Sequence, residues 1–211
     1  MNLSFSKSPL IVFLIFLIIS ACAGIGENFS IIPHEDLFIG LTTVEDVKNK
    51  FGEPQEINII ERDGLESNLL YYYYARRVNY YAESRSKELQ LEFIKGILNG
   101  YAYQNSIDRN STDFAEKNRM KIENGITSAN DIESLFGKPH GIITLPSNLI
   151  SIDPEISDEI KKDEIVYCWI YIYYYYEGAN HRLKEYEKNL IIYFDKNNTV
   201  VAKYFSSNIS N

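Results

Sequence analysis

The sequence repeats itself, and the repeat constrains the fold more than any other feature. Ile39-Gly40-Leu41-Thr42-Thr43-Val44-Glu45-Asp46-Val47, running on to Phe51-Gly52-Glu53-Pro54, is answered by Asn124-Gly125-Ile126-Thr127-Ser128-Ala129-Asn130-Asp131-Ile132, running on to Phe136-Gly137-Lys138-Pro139, at an offset of 85. A second match links Leu89-Gln90-Leu91-Glu92-Phe93-Ile94-Lys95-Gly96 to Leu190-Ile191-Ile192-Tyr193-Phe194-Asp195-Lys196-Asn197 and continues to Tyr103/Tyr204 and Ser106/Ser207, at an offset of 101. The second copy therefore holds sixteen extra residues, which the polar stretch 146–164 accommodates as a surface loop or short helix. A chain with a period of this length folds as two similar supersecondary units.

Each copy reads as a capped helix followed by strands. Thr42 or Thr43, and Thr127 or Ser128, are placed to cap a helix whose first-turn acids Glu45, Asp46 and Asp131 favour the positive end of its dipole. Val44, Val47 and Phe51 recur on one face, as do Ala129, Ile132, Leu135 and Phe136. Gly52 and Gly137 suit a left-handed C-cap, and Pro54 and Pro139 forbid continuation. Strand patterns follow at 57–61, 68–78, 89–94 and 97–105, and again at 141–145, 165–176, 190–195 and 199–206. The predicted fold class is α+β: two tandem repeats, each a capped helix or helix pair packed on an antiparallel β-meander. Residues 107–122 read as a linker with a leading helical turn.

The amino terminus has a separate logic. Ten unbroken apolar residues, 10–19, precede Ser20-Ala21-Cys22. A helix of that length spans about 15 Å, half of a ~30 Å hydrocarbon core, so a removable secretion signal is the better reading than a membrane span. Ile19-Ser20-Ala21-Cys22 resembles the lipobox of bacterial lipoproteins. That resemblance implies cleavage before Cys22, diacylglycerol on its sulfur and durable membrane attachment, and Ala23 in place of Asp implies export to the outer membrane. Cys168, the second of two cysteines, is then left without an intramolecular partner in a strand-like run, where it serves as a small hydrophobe.

The repeated pattern carried by Gly40, Thr42, Asp46, Val47, Phe51, Gly52 and Pro54, and by Gly125, Thr127, Asp131, Ile132, Phe136, Gly137 and Pro139, resembles the SmpA/OmlA (BamE-like) outer-membrane lipoprotein domain. Two such units in tandem are similar in arrangement to β-lactamase inhibitor protein, in which paired repeats form one concave surface. The resemblance implies a signal peptide over 1–21, a lipidated tether over 22–30, a first repeat over 31–106, and a second over 107–211 with an insertion near 146–164. It also implies a non-catalytic role in outer-membrane assembly or in binding and inhibiting other proteins. The matching residues build and end helices, so they transfer a fold and no activity.

Tyrosine is the compositional outlier, with 17 in 211 residues. The runs Tyr71, Tyr72, Tyr73, Tyr74 and Tyr173, Tyr174, Tyr175, Tyr176 form the candidate binding surface, since alternate members of a strand point to opposite faces and exposed rings dominate protein recognition. The alternation pairs Tyr71 and Tyr73 with Tyr173 and Tyr175, and Tyr72 and Tyr74 with Tyr174 and Tyr176. His34, His140 and His181 have no metal-ligand spacing and read as surface residues, and no nucleophile or phosphate-loop motif occurs, so neither cofactor, metal nor catalytic residue is expected. A net charge of -8 opposes nucleic-acid binding. The partners expected are a membrane, through Cys22, and a protein; the alternatives are a ligand or glycan stacked on the tyrosines, or a secreted enzyme held inhibited.

Overall fold

The computed structural model describes residues 25–77, 84–107, 113–150, 164–179 and 182–210. They form a mostly β molecule: one antiparallel sheet of nine strands with four short helical segments. In chain order these are β1 (Ile25–Gly26), α1 (Pro33–Asp36), α2 (Val44–Phe51), β2 (Glu56–Arg62), β3 (Leu65–Arg77), β4 (Ser84–Ile94), β5 (Ile97–Asn105), a 3-10 segment (Glu116–Lys121), α3 (Ala129–Phe136), β6 (Gly141–Thr144), β7 (Tyr167–Ala179), β8 (Arg182–Phe194) and β9 (Val200–Ser210). The α+β expectation is met only in this coarse form. The strands of the two copies do not make two sheets; they join edge to edge through β5 and β6, in the order β1-β3-β4-β5-β6-β7-β8-β9, with β2 also pairing β3.

That seam is narrow. Three residue pairs, Gly100 with Ile143, Tyr101 with Ile142 and Ala102 with Gly141, connect β5 to β6. Glycine is needed there for close approach: a Cβ on Gly141 would lie 2.6 Å from the Tyr101 carbonyl oxygen, and one on Gly100 would lie 3.0 Å from the Ile143 Cα.

The helical segments lie on one face of the sheet, over two clusters. In the first half Val47 of α2 packs with Leu70, Tyr72, Leu89, Leu91 and Phe93, and in the second Ala129 and Ile132 of α3 pack with Tyr171, Leu190, Ile192 and Phe194. Both long helices open with a reciprocal capping box. Thr43 Oγ1 accepts from the Asp46 N–H at 3.1 Å while Asp46 Oδ2 accepts from the Thr43 N–H at 2.9 Å, and Ser128 and Asp131 repeat the exchange at 3.3 and 2.9 Å. Both end at a glycine, but not in the left-handed helical conformation expected. Gly52 (φ 81°, ψ -167°) and Gly137 (φ 80°, ψ -167°) occupy a region open essentially to glycine alone, which makes the requirement stricter.

Two segments read as connectors are part of the core. Ile25 and Gly26 pair with Ala75 and Tyr74 of β3, and Phe29 is buried in an edge-to-face trio with Phe51 and Tyr72. The tether assigned to 22–30 is therefore structured from Ile25 onward. Likewise the linker 107–122 supplies buried Phe114 and Ile122, and Phe114 joins Phe136 and Tyr171 in a second trio. Lys87 donates to the Phe29 carbonyl at 2.9 Å and Lys188 to that of Phe114 at 3.3 Å, so the two straps are fastened alike. Among the described residues no helix is long and apolar enough to cross a membrane.

Candidate functional site

The face of the sheet away from the helices is open in part, being covered around Ile143, Cys168 and Ile170 by Leu145, Leu149 and Ile150. Cross-strand register sets which side chains it holds. Tyr72 pairs with Leu89, and Tyr171 with Leu190, so Tyr72 is the counterpart of Tyr171 and not of a residue in the second tyrosine run. Both point under a helix and hydrogen-bond a helix-ending glycine: the Tyr72 hydroxyl donates to the Gly52 carbonyl and the Tyr171 hydroxyl to that of Gly137, each at 2.9 Å. Burial pushes the Tyr72 phenol up to about 12 and raises that of Tyr171 as well.

The tyrosine pairing read from the sequence is thus corrected. Tyr72 and Tyr74 share the helix side with Tyr173 and Tyr175, whereas Tyr71 and Tyr73 share the open side with Tyr174. Tyr72 and Tyr175 are buried and leave the candidate surface. Tyr176 stands opposite Glu185 in the backbone register, and its side chain lies outside the described residues, as does Cys22.

Across the open side one row runs Tyr71, Gln90, Ala102, Gly141, Ile170, Ile191, Tyr204, each residue paired with the next. Small residues stand mid-row and tyrosines at both ends, the row crossing about 29 Å in six steps between strands, and Gly141 and Ile170 in its middle are buried. The adjacent rows contribute Tyr73, 40% exposed, with Glu88 and Gln104 on one half, and Ile172, Asn189, Tyr174 and Glu187 on the other.

The described charged side chains along these rows are acidic and held in place. Gln90 Nε2 donates to Glu88 Oε1 at 2.6 Å, Asn189 Nδ2 to Glu187 Oε1 at 2.6 Å, and the Tyr174 hydroxyl to Glu185 Oε1 at 2.5 Å. Partial burial, and then Glu56 and Glu88, raise the pKa of Tyr71, which stays a neutral phenol. This row is therefore aromatic at its ends and aliphatic or small at its centre, with acidic groups in the neighbouring rows.

The insertion covers part of the same face. Residues 146–150 do not form a free surface loop: Leu149 and Ile150 pack on a cluster made by Ile143, Cys168, Ile170 and Tyr193. Glu92 is fully buried there and accepts from the Asn148 N–H at 2.6 Å, Ser147 Oγ at 2.5 Å and Asn99 Nδ2 at 2.9 Å, while Asn148 Nδ2 reaches Ser67 Oγ at 3.0 Å. A buried carboxylate is tolerated because its lone pairs are met. Residues 151–163 of the insertion lie outside the described residues. Burial lifts the Cys168 thiol to about 12, leaving an inert thiol at neutral pH.

His140 is not the surface residue that its lack of motif suggests. Its ring packs against Tyr171, with ring centres 5.6 Å apart, and its Nδ1 lies 2.9 Å from the Ile172 nitrogen and 3.0 Å from the Ile172 carbonyl oxygen. Burial pushes its pKa down to about 4.

Sequence reasoning missed Ile172, Ile191, Tyr204 and the two amide-held glutamates. It also missed the straps, although Asn28-Phe29 and Asp113-Phe114 lie at the same offset of 85 as the helices and could have revealed them. Among the described residues no group of three His, Cys, Asp or Glu is placed to hold a metal ion.

No family model matches the chain, and no curated protein matches it. Among solved structures, a crystal structure described as a "putative beta-lactamase inhibitor protein" from Streptococcus mutans aligns with 78% of this chain and 82% of its own, at 12% identity and a TM-score of 0.43. Similarity of that degree carries no functional argument.

Proposed function

We propose that the protein is a non-catalytic scaffold of the cell envelope, anchored by lipid on Cys22, that binds another protein on the open face of its sheet. One observation carries the reading: the face carries tyrosines from both halves, and its acidic groups are already oriented by Gln90, Asn189 and Tyr174. Oriented side chains lose less freedom on binding, and Tyr rings give large contact area at low entropic cost. Glu88, Glu185 and Glu187 select a partner presenting lysine or arginine. A width of about 29 Å suits a standard protein interface of roughly 800 Å² per side better than a small molecule. The SmpA/OmlA-like motif and the lipobox support an outer-membrane address, with the two repeats as tandem copies of one helix-on-meander unit.

Photo-crosslinking in cells tests the surface. A crosslinking residue at Tyr73 or Tyr204 should trap a discrete partner, and one at Met120, exposed away from this face, should not. Equal trapping from all three positions would defeat the assignment. For the anchor, palmitate labelling should mark the wild-type protein and be lost in Cys22→Ala.

A further inference from the structure

The two outer edges of the sheet are the counterparts of the two strands that meet at its centre. β2 corresponds to β6: Glu56 and Ile57 pair with Tyr71 and Leu70 as Gly141 and Ile142 pair with Ile170 and Trp169. β9 corresponds to β5: Ala202, Lys203 and Tyr204 pair with Tyr193, Ile192 and Ile191 as Gly100, Tyr101 and Ala102 pair with Glu92, Leu91 and Gln90. The irregularity beside the seam is repeated too, between Glu92 and Phe93 in β4 and between Tyr193 and Phe194 in β8, so β5 and β9 are bent alike. The β5–β6 seam closes within the chain, whereas among the described residues neither β9 nor β2 has a strand on its outer side.

A second copy of this chain offers the missing half of each edge. Laying the inner seam over the outer edges puts β9 of one copy against β2 of the next, with Ala202 across from Asn58, Lys203 from Ile57 and Tyr204 from Glu56, as Gly100, Tyr101 and Ala102 stand across from Ile143, Ile142 and Gly141. The apolar surface that such a contact covers is bare: Ile142 packs against the core of the first half, but its counterpart Ile57 is exposed, as is Ile59 beyond it. Because β9 and β2 are different edges, the contact is head-to-tail and propagates instead of stopping at a dimer.

What the outer edges lack is glycine. The inner seam is so close that a Cβ on Gly141 would lie 2.6 Å from the Tyr101 carbonyl oxygen and one on Gly100 would lie 3.0 Å from the Ile143 Cα. At the edges those two positions are Glu56 and Ala202. The atoms they would strike belong to backbone, which cannot swing aside as the end of a flexible side chain can, and a charged residue on an open edge strand further discourages pairing.

We propose that the edges of β9 and β2 are matched surfaces for a second copy of this chain, and that Glu56 and Ala202 keep them apart and so hold the sheet at two repeats. The test is cysteine crosslinking of the full chain in lysates of the cells that make it. Ile57→Cys and Lys203→Cys, one from each edge, are combined and oxidised with copper phenanthroline, Cys168 being buried. On a non-reducing gel the pair should give monomer in the native background and a ladder of dimers, trimers and longer chains in the Glu56→Gly/Ala202→Gly background, and the ladder should need both introduced cysteines. Resistance to a protease reports whether each variant is folded. A folded double-glycine variant without a ladder overturns the proposal, as does an equal ladder in the native background. Should the double variant lose its protease resistance, Glu56→Gly alone, which removes the closer contact, decides: folded and without a ladder, it overturns the proposal as well.

Discussion

The two halves of the sheet solve one folding problem with nearly the same parts, and one of the places where they differ is a titratable position beside the strand under each helix. In the first half Gln55 lies beside β3, where its Oε1 accepts from the Tyr73 N–H at 2.9 Å. In the second half the residue 85 positions later is His140, whose Nδ1 lies 2.9 Å from the Ile172 nitrogen. Each also donates its own backbone N–H to the neighbouring strand, Gln55 to Tyr71 at 3.0 Å and His140 to Ile170 at 2.8 Å. An amide and an imidazole thus sit against the equivalent strand, but only the imidazole takes up a proton in acid. Equivalent geometry does not mean equivalent response.

The largest effects should fall on the aromatic trios, where the halves are most alike. Tyr72→Ala and Tyr171→Ala should each cost about 3 to 5 kcal/mol, by removing a buried ring and leaving a helix-ending carbonyl unpaired. Denaturant melts of a soluble form starting at Ala23 would measure both, and a large loss in one alone would break the equivalence of the halves.

Acid should separate them. The His140 pKa is near 6.5 unfolded and about 4 folded, so between those values the unfolded chain takes up a proton that the folded one refuses. Stability therefore falls as pH drops from 6.5 towards 4, by about 3 kcal/mol in total for a shift of this size. His140→Gln, which copies the first half, should abolish that loss while changing stability little at pH 7. An unchanged pH profile in the variant would show that His140 does not set it. Asp46 and Asp131 have pKa values lowered by their bonds to Thr43 and Ser128, so their contribution fades around and below pH 3.8, touching this window only at its acid edge.

Smaller effects follow at the helix ends. Gly52→Ala and Gly137→Ala force a side chain into a backbone region reserved for glycine and should cost about 1 to 3 kcal/mol each. Thr43→Ala and Ser128→Ala remove matching caps and should cost about 1 kcal/mol each. Thermal melts resolve both pairs, and marked inequality within a pair would mean that packing, not capping, dominates at one helix.

The caps, the helix stops and most strand positions were legible in the sequence because each is encoded locally, by Thr43-x-x-Asp46, by Gly52 and by runs of apolar and aromatic residues. The parity of the tyrosines was not. The sixteen extra residues are divided: the connection from β7 to β8 is two residues longer than that from β3 to β4, and the rest precede Tyr171. The turn from β8 to β9 is longer by one than that from β4 to β5, so Tyr103 matches Phe205 and not Tyr204. Those shifts put Tyr204 on the open face and could be read only from the strand pairing, since one residue of register exchanges the faces. The straps and the insertion escaped because their polar composition resembles a loop, while their contribution lies in single residues, Phe29, Phe114 and Asn148, whose partners are far away in sequence.

The claim that recognition belongs to the open face is tested most directly by changing that face alone. Tyr71→Ser, Tyr73→Ser and Tyr204→Ser should be combined in one variant and compared, as bait in an envelope pull-down, with wild type and with Met120→Ser. The account predicts a variant with native circular dichroism that loses a partner retained by both controls, because these rings contribute to contact more than to the core. A folded triple variant that captures the same partner at the same yield would contradict it.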